Sequence, residues 1–141
     1  MPGGTWASAH GVAARAVIRQ LVRDLDLPVA VIVGETVRET EGLAMSSRNV
    51  YLSPAERAVA PVLYHALQGT EALFRSGERS GEALRAAMAR VVAAVPSARL
   101  DYVSVADCVT LQELDQIGSQ ALASLAFRLG QTRLIDSLIL R

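Results

Sequence analysis

The sequence predicts an α+β fold, in which two main helices pack on a small antiparallel sheet and a separate helix and strand precede them. Three patterns in its 141 residues support this prediction. Apolar residues recur at helical spacing through the middle of the chain, and near its end they alternate with polar residues around a Gly-containing turn. A short, continuous apolar run near residue 30 is typical of a strand inside a parallel sheet.

The first predicted helix begins at Val12, from which apolar residues recur at every third or fourth position, and it ends before Pro28. The apolar, β-branched run 28–34 then predicts a buried strand. A helix followed by such a strand is half of a β-α-β unit, and the sequence offers no earlier strand as its neighbour. We therefore expect a second copy of the chain to cover this edge, in a homodimer formed through residues 12–34.

The next helix is marked by its first residues. Ser53 can cap it, Pro54 suits the first helical position, and Glu56 completes a capping box. This helix is predicted to continue to about Arg75. A second main helix is predicted over residues 81–94, where apolar residues again recur at helical spacing.

Three strands complete the predicted fold. They are, in order, Leu100–Ala106, residues 121–129 and residues 132–140. The last two strands form a hairpin, because Gly130 supplies the tight turn between them. Residues 110–114 are predicted to form a short helical turn. We therefore divide the chain into residues 1–35, a leader with the separate helix and strand, and residues 36–141, an α+β domain.

Composition excludes several classes of protein. The chain is 51% hydrophobic and 20% charged, which excludes a disordered protein. Its 14 basic and 14 acidic residues balance, so no excess positive charge indicates a nucleic-acid partner or an anionic membrane. All basic residues are arginines, which excludes a phosphate loop of the Walker type. The single Cys108, the missing secretion signal and the missing membrane span predict a cytoplasmic protein.

The stretch 36–49 carries the most informative chemistry. Ser46 and Ser47 can each donate a hydrogen bond to a phosphate oxygen, and Arg48 can form charge-assisted contacts with the same group. Backbone N–H groups in such a Gly-containing loop add further donors for an anion. From the residues alone, a polar surface loop with a local Arg–Glu ion pair is the simpler interpretation.

This stretch resembles the nucleotide-binding signature of the pantothenate synthetase (pantoate–β-alanine ligase) family, in which a Met-Ser-Ser-Arg segment forms the phosphate loop. Residues 18–25 resemble the family's last helix before the final strand of its Rossmann-like domain, and residues 129–136 resemble its C-terminal hairpin. The resemblance covers residues 15–141. It implies that residues 36–141 are a lid-like C-terminal domain, preceded by a remnant helix and strand of the Rossmann-like domain.

The resemblance also implies a reaction and its ligands. In this family, pantoate attacks the α-phosphate of ATP to give pantoyl adenylate, and β-alanine then displaces AMP. ATP would enter with Mg²⁺. Val37 would contact the adenine through its backbone, and Met45, Ser46, Ser47 and Arg48 would hold the phosphates. The resemblance assigns no catalytic residue and no metal ligand to this sequence.

The sequence departs from the family in its first residues. The family's His-x-Gly-His motif is missing, since the only histidines are His10 and His65. Ala13 and Ala14 stand where the family has a pair of glutamines that bind pantoate. We therefore expect the chain to be inactive alone and to require a nucleotide-binding domain. The alternative is a truncated, non-enzymatic paralogue that acts as a dimerisation module.

The remaining polar side chains have structural interpretations. His65 is predicted to be an exposed or half-buried helix residue, and Cys108 a packed thiol. Arg133 and Asp136 lie on opposite faces of the last strand, so each is expected to bond across the sheet rather than to the other. The spacing of the aspartates does not fit a metal-binding loop.

Overall fold

The computed structural model describes residues 12–141. The helices are α1 (Val12–Asp24), a 3₁₀ helix (Ser47–Tyr51), α2 (Pro54–Val59), α3 (Val62–Arg75) and α4 (Gly81–Ala93). The strands are β1 (Ala98–Ala106), β2 (Ala121–Leu129) and β3 (Thr132–Leu140). They form one antiparallel sheet in the order β1-β2-β3, and α3 and α4 pack against it. The predicted α+β fold is confirmed. His10 lies outside the described residues.

The core lies between the sheet and the two longer helices of the domain. Alternate residues of β2, from Ala121 to Leu129, are fully buried on the face that contacts the helices. Leu67 of α3 and Met88 of α4 are buried against this face. Burial alternates more clearly in β3, where Leu134 and Leu140 are buried and Arg133 and Ile135 are not, and this alternation predicted the strand.

The predicted helix from Pro54 to Arg75 is two helices. The capping box at its start is present, since the Ser53 hydroxyl accepts from the Glu56 N–H at 3.2 Å and the Glu56 carboxylate accepts from the Ser53 N–H at 2.8 Å. The prediction of one continuous helix is wrong, because Pro61 has no N–H to donate and its ring clashes with the carbonyl four residues earlier. Pro61 instead stands at the N-cap position, directly before the first residue of α3.

The prediction of a buried strand over residues 28–34 is also wrong. This segment forms no strand, and the side chains of Val29 and Ile32 are 57% and 82% exposed. A parallel strand needs a neighbouring backbone to accept its hydrogen bonds. Within residues 12–141 the only sheet is antiparallel and lies in the other part of the chain.

Residues 110–114 do not form the predicted helical turn. The Asp107 carboxylate accepts from the backbone N–H groups of Val109 at 2.8 Å and Thr110 at 2.7 Å. These bonds lower the pKa of Asp107 and close a turn that competes with a helix. Glu113 then forms an antiparallel bridge with Ala106.

Candidate functional site

The loop that contains the phosphate-binding signature has a defined fold. The Met45 N–H donates to the Val37 carbonyl at 2.9 Å, and the Glu39 N–H donates to the Leu43 carbonyl at 2.8 Å. Gly42 closes the turn between the two sides with a φ of 96°. The two sides therefore form a short antiparallel ladder, which brings the predicted adenine contact Val37 beside the predicted phosphate contact Met45.

The 3₁₀ helix begins directly after this ladder. The Ser46 hydroxyl caps it by accepting from the Arg48 N–H at 3.2 Å. Because a hydroxyl also carries a donor hydrogen, Ser46 can still donate to a ligand. Ser47 and Arg48 are exposed, as are Val37 and Met45. The structure thus places the predicted site residues together on one surface loop.

A polar layer beneath the loop supports it. Asn49 is 4% exposed and donates to the Ala44 carbonyl at 3.1 Å and to the Glu39 carboxylate at 3.3 Å. Arg57 of α2 contacts the same carboxylate at 2.6 Å. The local Arg–Glu pair that a plain surface loop predicts is therefore present, but it belongs to Arg57. Among residues 12–141, no side-chain hydrogen bond or ion pair of Arg48 is found.

Arg48 lies at the rim of an open depression of about 700 Å³. The loop side of the depression is formed by Arg48 and Tyr51, and the capping residue Glu56 lies below them. Its opposite side is the tip of the hairpin, residues 130–133. The charged side chains that line it are Arg48, Arg133 and the Glu56 carboxylate.

Sequence reasoning missed the hairpin tip as part of the site. The turn at Gly130 is confirmed by its positive φ of 55°. Its position beside Arg48 depends on a contact between residues more than eighty positions apart, which periodicity cannot predict. The positive charge of Arg133, close after the turn, was the feature of the sequence that could have indicated an anion site here. In the structure that guanidinium also donates to Asp101 of β1 at 2.5 Å.

The other chemistry-bearing residues lie away from this depression. His65 is exposed on α3, as predicted. Cys108 is partly buried, and both burial and the neighbouring Asp107 carboxylate raise the pKa of its thiol, so it is a poor nucleophile at neutral pH. Arg133 and Asp136 do not pair, and Arg133 reaches across the sheet as predicted. The prediction for Asp136 is wrong, because its carboxylate pairs with Arg38 of the loop.

Two searches for other kinds of site concern residues 12–141 only. No helix in this range is long and apolar enough to span a membrane. No group of three histidine, cysteine, aspartate or glutamate side chains in the same range could hold a metal ion.

Comparison with known proteins finds similarity along nearly the whole chain. A sequence model of the family described as pantoate-beta-alanine ligase matches residues 10–139. The pantothenate synthetase of Roseiflexus castenholzii is 60% identical over 124 residues, which is 88% of this chain and 45% of that protein. The pantothenate synthetase of Chloroflexus aurantiacus is 56% identical over 125 residues, or 88% of this chain and 44% of that protein.

A solved structure shows the same fold. The crystal structure of pantothenate synthetase from Thermus thermophilus matches with a TM-score of 0.83 at 42% sequence identity. The match covers 89% of this chain and 45% of that one. The chain therefore spans less than half the length of the curated relatives it matches.

Proposed function

The chain belongs to the pantoate-beta-alanine ligase family, and on that premise we propose that it is the C-terminal, ATP-phosphate-binding lid of such an enzyme. The whole enzyme would condense pantoate with β-alanine at the expense of ATP. One observation carries the proposal. Arg48, for which no ion pair is found within residues 12–141, lies at the rim of a depression of about 700 Å³, and the hydroxyls of Ser46 and Ser47 directly precede it on the same loop.

The proposed reaction has two steps. A carboxylate oxygen of pantoate attacks the α-phosphorus of ATP, the bond to the β-phosphate oxygen breaks, and pyrophosphate leaves. The amine of β-alanine then attacks the acyl carbon of the adenylate, loses a proton and displaces AMP. Such chemistry depends on positioning and on stabilising charge at phosphorus.

The loop residues fit the second of these roles. Arg48 would offset negative charge on the phosphates, and Ser46 and Ser47 would donate to their oxygens. The ladder holds the Val37 backbone and Met45 beside them, where the nucleoside would lie. Mg²⁺ would be held by the phosphates, since residues 12–141 offer no cluster of three potential ligands to it.

We also propose that this chain is inactive alone, in the cytoplasm, until a nucleotide-binding domain completes its site. Support comes from the apolar side chains that remain exposed before the lid. They are Val17, Leu21, Leu25, Leu27, Val29 and Ile32. Exposed apolar side chains concentrated in one segment are typical of a protein contact. The same observation favours the second candidate, a non-enzymatic homodimer in which residues 12–34 of two copies cover each other.

Reconstitution tests the proposal. The purified chain is mixed with the separately produced part of the Roseiflexus castenholzii relative that lies outside the match, together with ATP, Mg²⁺, pantoate and β-alanine. We expect AMP to form only in the mixture. Arg48→Ala is expected to lower the rate at least tenfold, whereas Arg90→Ala, which removes an exposed arginine of α4, should leave it unchanged.

Two outcomes would contradict the proposal. One is AMP formation that Arg48→Ala leaves at the wild-type rate. The other is a stable homodimer in light scattering that neither binds the added domain nor forms AMP, which would favour the dimerisation module.

A further inference from the structure

A buried ion pair joins the loop to the last strand of the sheet. Arg38 donates to both carboxylate oxygens of Asp136, with distances of 2.5 and 3.1 Å. The two side chains are 16% and 4% exposed, and they stand 98 positions apart in the sequence. A bidentate pair of this kind fixes orientation as well as distance, because the planar guanidinium must face the carboxylate.

The same guanidinium touches two further parts of the structure. It donates to the carbonyl of Gly42 at 3.1 Å, which lies in the turn of the loop. It also lies 3.9 Å above the ring of Tyr64 in α3. The Tyr64 ring in turn packs against Gly42 so closely that a Cβ there would lie 2.4 Å from it. Arg38 therefore contacts the loop, α3 and β3 at once.

These contacts lie close in the chain to the two segments that line the candidate site. Arg38 forms an antiparallel bridge with Ala44, two residues before Ser46. Asp136 lies three residues after Arg133, on the strand that begins at the hairpin tip. The ion pair thus joins the loop that carries Ser46–Arg48 to the strand that follows the hairpin tip.

We propose that Arg38 is a positioning residue, which fixes the loop to α3 and β3 so that Ser46–Arg48 and the hairpin tip form one rigid site. Buried ion pairs contribute little net stability compared with apolar replacements. An apolar pair could therefore fill the same space without a loss of stability, but it would not orient the loop. The loop then moves with the lid and is ordered before any ligand binds. Only the identity of the ligand, a nucleotide phosphate, rests on the proposed function.

Hydrogen exchange of the whole chain without ligand tests this inference. In Arg38→Met, the amides of Glu39 and Met45, which form the loop ladder, should exchange at least tenfold faster, while those of β2 keep their wild-type rates. Arg38→Lys should give an intermediate rate, because lysine keeps the charge and loses the fork. The control is Arg75→Met, which removes an exposed ion pair with Glu71 and should change neither set.

A second variant keeps the test decisive if Arg38→Met does not fold. Tyr64→Leu removes the ring from the guanidinium and from Gly42 but leaves the ion pair, and should accelerate exchange in the loop severalfold, whereas Tyr64→Phe should not. Loop exchange at the wild-type rate in Arg38→Met, or in Tyr64→Leu where that variant replaces it, would overturn the inference.

Titration of the same variants with ATP separates the inference from the proposed function. If the loop loosens as expected but the wild type does not bind ATP, the proposed function fails and the positioning role stands. If the wild type and Arg38→Met bind ATP equally and their loops exchange alike, the positioning role fails and the proposed function stands.

Discussion

At Gly42 the backbone has a φ of 96°, and the ring of Tyr64 occupies the space where a Cβ would lie. Both facts oppose any side chain at this position, since L residues rarely adopt such a φ and the ring is held by Arg38. We expect Gly42→Ala to lower the free energy of unfolding by about 2 kcal/mol or more. Urea unfolding measures this change.

Gly69 provides the matched control. It lies inside α3, where nothing stands within 4 Å of the position that an added Cβ would take. Alanine loses less backbone entropy in a helix than glycine, so Gly69→Ala should raise the free energy of unfolding by about 0.5–1 kcal/mol. Opposite signs for the two substitutions would support the loop geometry, and a neutral Gly42→Ala would contradict it.

Individual residues of the candidate site could be predicted only where the groups that would act together are neighbours in the sequence. Ser46, Ser47 and Arg48 stand next to each other in the sequence, so a common phosphate-binding role could be predicted for them, and that role stays a prediction. The role proposed for Arg38 could not be predicted, because its partner Asp136 is 98 positions away and nothing in the sequence pairs these two charges.

At the scale of the elements, the sheet carries a row of like charges. Arg99, Arg128 and Arg133 stand opposite each other on β1, β2 and β3. Of these three arginines, Arg133 forms an ion pair with Asp101, and within residues 12–141 no ion pair of Arg99 or Arg128 is found. Like charges at directly opposite positions destabilise a sheet.

Reversing the central charge should therefore stabilise the protein. We expect Arg128→Glu to raise the free energy of unfolding by about 0.5–1 kcal/mol at low salt, and Arg128→Gln to raise it by less. The gain should shrink in 1 M NaCl, where screening acts within about 3 Å. Thermal unfolding at both salt concentrations measures it, and an equal gain at high salt would show that the arginines do not repel each other.

The elements themselves were predictable where a core supports them. The strands and α4 follow from periodicity because their apolar faces meet in one core. The break between α2 and α3 follows from Pro61. The periodicity of the apolar residues continues across this proline, so the pattern alone predicts one helix. The segment 28–34 has the composition of a strand, but composition cannot supply the neighbouring strand that its backbone requires.

At the scale of the whole molecule, the structure shows an α+β domain with an ordered loop, preceded by a segment whose apolar side chains are exposed. The chain spans less than half the length of its curated relatives, and the exposed side chains between Val17 and Ile32 lie just before the α+β domain. These features agree with a site that is completed by another domain. The loop nevertheless has its own support from Asn49, Arg57 and Arg38, so the proposed binding of phosphate can be tested on this chain.

The most direct test is a calorimetric titration of ATP into the wild-type chain and into Arg48→Ala, with Arg90→Ala as control. We expect the wild type and Arg90→Ala to bind with a Kd on the order of 1 mM, and Arg48→Ala to bind about tenfold more weakly, since a charge-assisted hydrogen bond contributes about 1.5 kcal/mol. Equal affinity of the wild type and Arg48→Ala, or no binding by either, would contradict the assignment of this loop as a phosphate site.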